Sequence, residues 1–234
     1  MNFNSFSELA ELVKGLQEKT NVAVVAAQDH HTLEAVSYAR KEGLIGAYLI
    51  GDTEKIKEIL TELNEAEEEY ILIPAEDAES CMKIAADLVN QGKAGAIMKG
   101  KLETGQIMKG ILNKENDLRK GGLISLTGFY ESPYYHKMFA VTDVAINVYP
   151  DAEAKKGLIE NAVGALHSFG LENPKVACLA AVEKVNPKMK ETVDAAQLKE
   201  WNQSGEITGC IVEGPISLDL AMIEEAAQIK GYVS

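Results

Sequence analysis

The sequence predicts an α/β protein whose mostly parallel sheet is covered by helices on both faces. Short apolar runs alternate with helix-period segments along the whole chain, and repeated β-then-α units return each strand parallel to the one before. The runs are unbroken rather than alternating, as strands buried on both faces are. Aromatic residues make up only 6%. The core is therefore built from Ala, Val, Ile and Leu, which suits stacked layers better than a small aromatic-rich sandwich.

The elements follow in order. Phe6, Leu9, Leu12, Val13 and Leu16 recur at helical spacing and predict an amphipathic N-terminal helix. Strands are predicted at Val22–Ala27, Ala47–Ile50, Tyr70–Ile73 and Gly95–Met98, then at Leu123–Phe129, Val144–Val148, Val176–Ala181 and Thr208–Val212. Between them, Leu33–Glu42, Asp77–Asn90, Ala152–Phe169 and Lys190–Gln203 carry helical periodicity, with Gly near their ends. The rhythm breaks at 113–137. The polar stretch "NKENDLRKGG" is followed by two strand-like runs, Leu123–Phe129 and His136–Val141, joined by "YESPYY" with no helix between them. A hairpin there marks the start of a second lobe near Gly121, dividing the chain into an N-terminal α/β lobe over 1–121 and a second over 122–234.

At 234 residues and 46% hydrophobic composition, the chain can bury a substantial core. No apolar run reaches the length of a membrane span, and the N-terminus carries no signal-peptide pattern. Three scattered cysteines, Cys81, Cys178 and Cys210, form no disulfide framework and fit a reducing cytoplasm. A formal charge of −13 argues against nucleic-acid partners and anionic membranes. Any polyanion must be met by a local basic site.

Ligands of parallel α/β sheets bind at the carboxyl ends of strands, which here read "AAQDHH", "IPAED", "MKGKLETG", "NVYPD", "AAVEKVNPKM" and "VEGPISLD". The segment Lys99–Lys120 holds Lys99, Lys101, Lys109, Lys114, Arg119 and Lys120 against Glu103, Glu115 and Asp117, six charges against three and a local balance of +3. Arg119 is one of only two arginines in the chain, and a guanidinium grips phosphate oxygens in a bidentate way that lysine cannot. Gly100 lets backbone approach an anion closely. A solvated lysine-bearing helix face explains the charges about as well. The Walker pattern and G-x-G-x-x-G are both absent. His30 and His31 follow a strand end, but four histidines without i,i+4 carboxylate or histidine partners predict no metal site. Asp29 reads as an N-cap, Cys178 and Cys210 as small hydrophobes inside apolar strands, Pro215 as a turn at a strand end, and Asp219 as a partner of a helix N-terminus.

Taken together, "GKAGAIMKGKLETGQIMKGILNKENDLR", "TDVAINVYPD", "AAVEKVNPKMKETVDAA" and "GCIVEGPISLD" resemble the phosphate acetyl/butyryltransferase family, and its phosphate butyryltransferase branch in particular. The openings "VAVVAAQDHHTLEAV" and "GLIGAYLIGD" are similar to that family's first βαβ unit. The resemblance implies a two-lobed α/β/α fold of the isocitrate/isopropylmalate-dehydrogenase-like type with its site in the cleft between lobes. It implies exchange of acyl-CoA and phosphate with acyl phosphate and CoA on a short acyl chain such as butyryl or acetyl. No permanently bound cofactor and no metal are expected, CoA being a substrate, and a homodimer or larger homo-oligomer is. On the same basis Lys99, Gly100 and Thr104 are expected in the pocket wall, and Arg119 and Ser125 as phosphate or acyl-phosphate contacts. Asn186, Lys188, Thr192 and Asp219 are expected to line the opposite lobe. The family pattern runs on past "AAQIKGYVS" through a segment carrying a Ser-Arg pair and an aspartate that handles the CoA thiol. The catalytic base is thus expected beyond Ser234, and the chain as it stands is expected to bind better than it turns over. The other classes in play are a CoA- or phosphate-binding protein without turnover and a dehydrogenase-related enzyme of the same fold.

Overall fold

A computed structural model describes residues 4–119 and 121–233. Lys120, the last cation of the basic segment, lies outside the described residues. The chain divides into two compact units, Leu9–Gly121 and a second made of residues 4–8 with 122–233. The first helix, α1 (Phe6–Lys14), buries none of its residues.

In the Leu9–Gly121 unit, four strands form one parallel sheet: β1 (Asn21–Val25), β2 (Gly46–Gly51), β3 (Ile71–Pro74) and β4 (Ala96–Lys99), in the order β3-β2-β1-β4. Register follows the apolar runs, with Val24 paired to Leu49 on one side and to Met98 on the other. Successive side chains of a strand face opposite ways, so β1 feeds two cores. Val24 joins Leu33 and Val36 of α2 (His30–Lys41) and Ile56 and Leu60 of α3 (Thr53–Glu62). Ala23 and Val25 join Cys81, Met82 and Ala85 of α4 (Ala78–Asn90) and Ile107 and Ile111 of α5 (Thr104–Leu112). The sheet is covered on both faces.

Helix α5 can lie close to α4 because position 110 is glycine. A Cβ there would sit 2.8 Å from Met82 Cβ, a separation that real Cβ atoms do not adopt.

The second unit has thinner sheets. β5 (Gly128–Tyr130) and β6 (Phe139–Val141) form the expected hairpin, antiparallel with Phe129 opposite Ala140. β7 (Lys175–Leu179) and β8 (Ile211–Ile216) pair in parallel. Against the second pair lie α6 (Ala152–Ser168) and α7 (Lys190–Gln203), their Ile159, Val163 and Leu198 packing on Ile207, Cys210 and Val212. Two short helices, α8 (Leu218–Met222) and α9 (Glu224–Lys230), follow.

Leu123–Phe129 is strand only from Gly128 onward, and Val144–Val148 is no strand at all, because its backbone N–H groups go to a side chain described below. Cys210 lies just ahead of β8 rather than inside a strand. Pro215 makes no turn at a strand end; it is buried inside β8, in the pairing where register shifts between Ala177 and Leu179. Among the described residues, no helix is long and apolar enough to cross a membrane.

Candidate functional site

The strand order reverses direction at β1 and β4. Helix α2 leaves β1 on one face and α5 follows β4 on the other, so a crevice opens outside their carboxyl ends, where such sheets bind ligands. The chain there is tightly built. Ala26, just past β1, has φ 52°, an uncommon conformation for a residue with a Cβ. The N–H of Gly100 donates to Val25 O and that of Lys101 to Ala26 O, each at 2.9 Å, extending the β1–β4 pairing beyond the strands. Gly100 is needed for this contact, since a Cβ would lie 2.7 Å from Val25 O. The glycine thus serves backbone-on-backbone approach at the switch point.

Lys99 ends β4, exposed, and its Nζ donates to Leu102 O at 2.6 Å, closing the turn that carries Thr104 to the first position of α5. Exposed Arg119 follows a 3₁₀ turn, Lys114–Asn116, that is fastened on two sides. Buried Asn116 donates through Nδ2 to Gly110 O at 2.8 Å, and its own carbonyl accepts from Asn90 Nδ2 at 2.9 Å. Neither asparagine stands out in the sequence, because burial and a distant carbonyl partner are not local signals.

Asp29 is the N-cap of α2, accepting from Thr32 N at 3.0 Å. Its pKa is lowered by the Thr32 hydroxyl and N–H, with smaller help from His31 and Lys101; a carboxylate so committed is a poor proton acceptor. The histidine reading needs correction: Glu34 stands four residues after His30, one helical turn away. Exposed His30, His31 and Glu34 bring possible ligand atoms within 4.8 Å of one another.

The second unit holds Ser125, Asn186, Lys188, Thr192 and Asp219. The Ser125 hydroxyl accepts from Asn161 Nδ2 at 2.9 Å. Asn186, Pro187 and the preceding Val182–Val185 line one side of an open groove of about 770 Å³, with Leu220, Lys230 and Tyr232 opposite. Lys188 N–H donates to Asn186 Oδ1 at 3.0 Å. Thr192 does not line this groove. It is fully buried, accepts from Asn186 N at 2.9 Å and lies 2.8 Å from Met189 O, so it holds the turn that presents Asn186 and Lys188. Asp219, in the first turn of α8, pairs with Lys230 at 3.0 Å. The Ser217 hydroxyl and the Lys230 ammonium hold its pKa down to about 2, so it is an anionic anchor rather than a base near neutral pH.

None of the cysteines is poised to attack. Burial pushes the Cys178 thiol up to about 11, and it raises Cys81 and Cys210 as well; the thiolate is the nucleophile.

The chain as a whole is similar to known proteins. The family described as phosphate acetyl/butaryl transferase matches residues 74–234. A phosphate butyryltransferase of Clostridium acetobutylicum is 40% identical over 227 residues, covering 97% of this chain and 75% of that protein. A phosphate acetyltransferase of Thermotoga maritima is 38% identical over 229 residues, covering 97% of this chain and 76% of that one. Among solved structures, a branched-chain phosphotransacylase from Enterococcus faecalis V583 superposes with a TM-score of 0.79 at 29% identity, over 92% of this chain and 75% of that one. Sequence match and fold agree along nearly the whole chain, and it belongs to the phosphate acetyl/butaryl transferase family.

Proposed function

We propose that this chain is an acyltransferase that moves a short acyl group, butyryl or acetyl, between coenzyme A and inorganic phosphate. A phosphate oxygen attacks the thioester carbonyl, the C–S bond breaks, and acyl phosphate and CoA thiolate leave; the reverse reaction retraces these steps. Supporting this reading is a cationic turn, Lys99–Lys101, at the switch point of a parallel sheet in a chain of net charge −13. Both substrates are anions, and the tetrahedral intermediate carries further negative charge on oxygen, which fixed N–H donors and cations stabilise.

In this reading Lys99, Gly100 and Thr104 form pocket wall, Arg119 grips phosphate, and Ser125 donates to the phosphate or acyl phosphate. Asn186 lines the groove that accepts part of CoA, Lys188 follows on the same turn, and Asp219 keeps Lys230 in place at its edge. The lobes are read as isocitrate/isopropylmalate-dehydrogenase-like, and the enzyme as a cytoplasmic homo-oligomer with CoA as substrate rather than resident cofactor; the family resemblance and the scattered free thiols support this.

The test is a thiol-release assay on butyryl-CoA and acetyl-CoA with and without phosphate. Phosphate-dependent release is expected. CoA binding by calorimetry without such release would overturn the proposal in favour of a binding protein. In the same assay, Arg119→Lys should raise KM for phosphate about tenfold while leaving that for acyl-CoA near its original value, because charge stays and the bidentate grip is lost. Unchanged phosphate kinetics would remove Arg119 from the site.

A further inference from the structure

Ser125 belongs to a segment, 123–127, that runs into β5 without a strand partner of its own. The segment is held from two directions. On one side lies α6. Asn161 reaches from it with one amide group, donating through Nδ2 to Leu123 O at 2.8 Å and to Ser125 Oγ at 2.9 Å. One turn earlier on the same helix face is Gly157, where a Cβ would come to 3.5 Å from the Leu123 side chain, so the segment lies directly along this face. On the other side, Asn147 Nδ2 donates to Ile124 O at 2.9 Å, and Leu126 N donates to Asp143 Oδ2 at 3.4 Å. Four consecutive residues are thereby fixed by side chains.

The pattern has a consequence for the hydroxyl. A serine Oγ offers one proton and two lone pairs. The Asn161 N–H occupies a lone pair, and among the described residues the hydroxyl has no acceptor for its own proton. Ser125 is half-buried and Asn161 exposed, so the site is open to solvent. With one lone pair engaged by a donor and no acceptor among the described residues for the proton, the O–H is available to a ligand, beside the second lone pair. That matches an incoming anionic oxygen and does not match a nucleophile, which needs a base to take the proton.

We propose that Asn161 is a positioning residue that fixes Ser125 as a hydrogen-bond donor to a phosphoryl oxygen. This rests on the reading of Ser125 as a phosphate contact given above. Asn161 acts through Ser125 and through the carbonyl of Leu123, which sets where the hydroxyl stands.

The experiment is a kinetic cycle on the full chain with Ser125→Ala, Asn161→Ala, the double variant and Asn161→Asp, read as KM for phosphate and for butyryl-CoA separately. Asn161→Ala should raise KM for phosphate roughly three- to tenfold, with KM for butyryl-CoA little changed, and should add nothing in the Ser125→Ala background. Asn161→Asp should be worse for phosphate than Asn161→Ala. Its carboxylate accepts the serine proton and sets a negative charge beside the anion. Effects of Ser125→Ala and Asn161→Ala that simply add would overturn the proposal and leave Asn161 as a structural tie. If the unaltered chain shows no phosphate-dependent thiol release, the acyl-transfer reading fails instead. The same cycle measured by calorimetry with inorganic phosphate then decides the role of Asn161 on its own: coupling between the two positions supports it, and additivity overturns it.

Discussion

Glu65 and Asp143, one in each unit, are both held down to a pKa of about 2, by different means. Burial pushes Glu65 up, its side chain being 1% exposed, but bonds from Lys41, Ser37, Arg40 and Tyr70 outweigh it. Ser37 Oγ donates at 2.6 Å, Arg40 at 2.9 Å and Tyr70 at 2.8 Å, while Lys41 forms an ion pair. These side chains tie α2 to the connection before β3. Burial pushes Asp143 up too, but there the opposing donors are mainly main chain. Ala145 and Ile146 N–H groups reach Oδ1 at 2.8 Å, and Asn147 Nδ2 reaches Oδ2 at 2.6 Å.

The difference follows from how much sheet each unit has. Where four strands pair, backbone groups are satisfied by the ladder, and buried polar side chains are left to join one element to another. Where strands are three residues long, backbone donors need a partner, and one carboxylate supplies it.

The strongest test of that contrast compares two apolar runs that look alike, "AYLIG" in β2 and "VAINV" at 144–148. Leu49 is wholly buried. Leu49→Ala should cost about 2–5 kcal/mol, the transfer and cavity terms together. Val148 is 72% exposed, and Val148→Ala should change stability by no more than about 0.5 kcal/mol. Urea denaturation of both variants gives the answer; comparable losses would mean that 144–148 is packed as a strand after all.

Next in size is Glu65→Gln. At neutral pH the amide leaves Lys41 without its anion and Arg40 with Glu69 as its remaining one, for a loss of about 1–3 kcal/mol. The sign with pH follows from a folded pKa near 2 against the ordinary 4.5. The carboxylate's contribution is fully present above 4.5 and is lost as pH falls through about 2. The gap between the parent and Glu65→Gln in denaturation midpoint should therefore close over that window. A gap that persists at pH 2 would assign the loss to packing.

These two units also mark how far the sequence is legible. The parallel sheet, α7 from Lys190 to Gln203 and the Asp29 cap were all visible, because apolar period and capping residues are local signals. The basic turn stood out through charge. Val144–Val148 misled because hydrophobicity alone cannot tell a ladder from a turn built around a carboxylate, and Asp143 sits immediately before it. Asn116, Asn147 and Asn161 left no sequence signal, since an amide earns its role from a carbonyl many residues away: Asn161 meets Leu123 O across 38 positions. Thr192 looked like a groove residue beside Asn186, and only its burial shows that it holds the turn from within.

The smaller of the two carboxylate effects separates them most cleanly. Asp143→Asn keeps size and shape but turns one oxygen into an NH₂ facing other donors. Both oxygens accept now, Oδ1 from Ala145 and Ile146 and Oδ2 from Leu126, Asn147 N and Asn147 Nδ2. The loss should be about 1 kcal/mol and local, appearing as faster hydrogen exchange at the Ala145 and Ile146 amides while the global midpoint hardly moves. The Asp143 contribution is present above the ordinary 3.8 and fades as pH falls through about 2. Its partners are neutral dipoles, so raising salt from about 0.01 to 1 M, which shortens the screening length from about 30 to 3 Å, should leave the Asp143 titration in place. Glu65 is held partly by Lys41, whose side chain is 57% exposed, so its titration should move up toward the ordinary value in the same series. Carboxylate chemical shifts followed by NMR across pH at the two salt concentrations would show both. Equal movement of the two would mean that net charge of the whole chain, and not the local donors, sets their acidity.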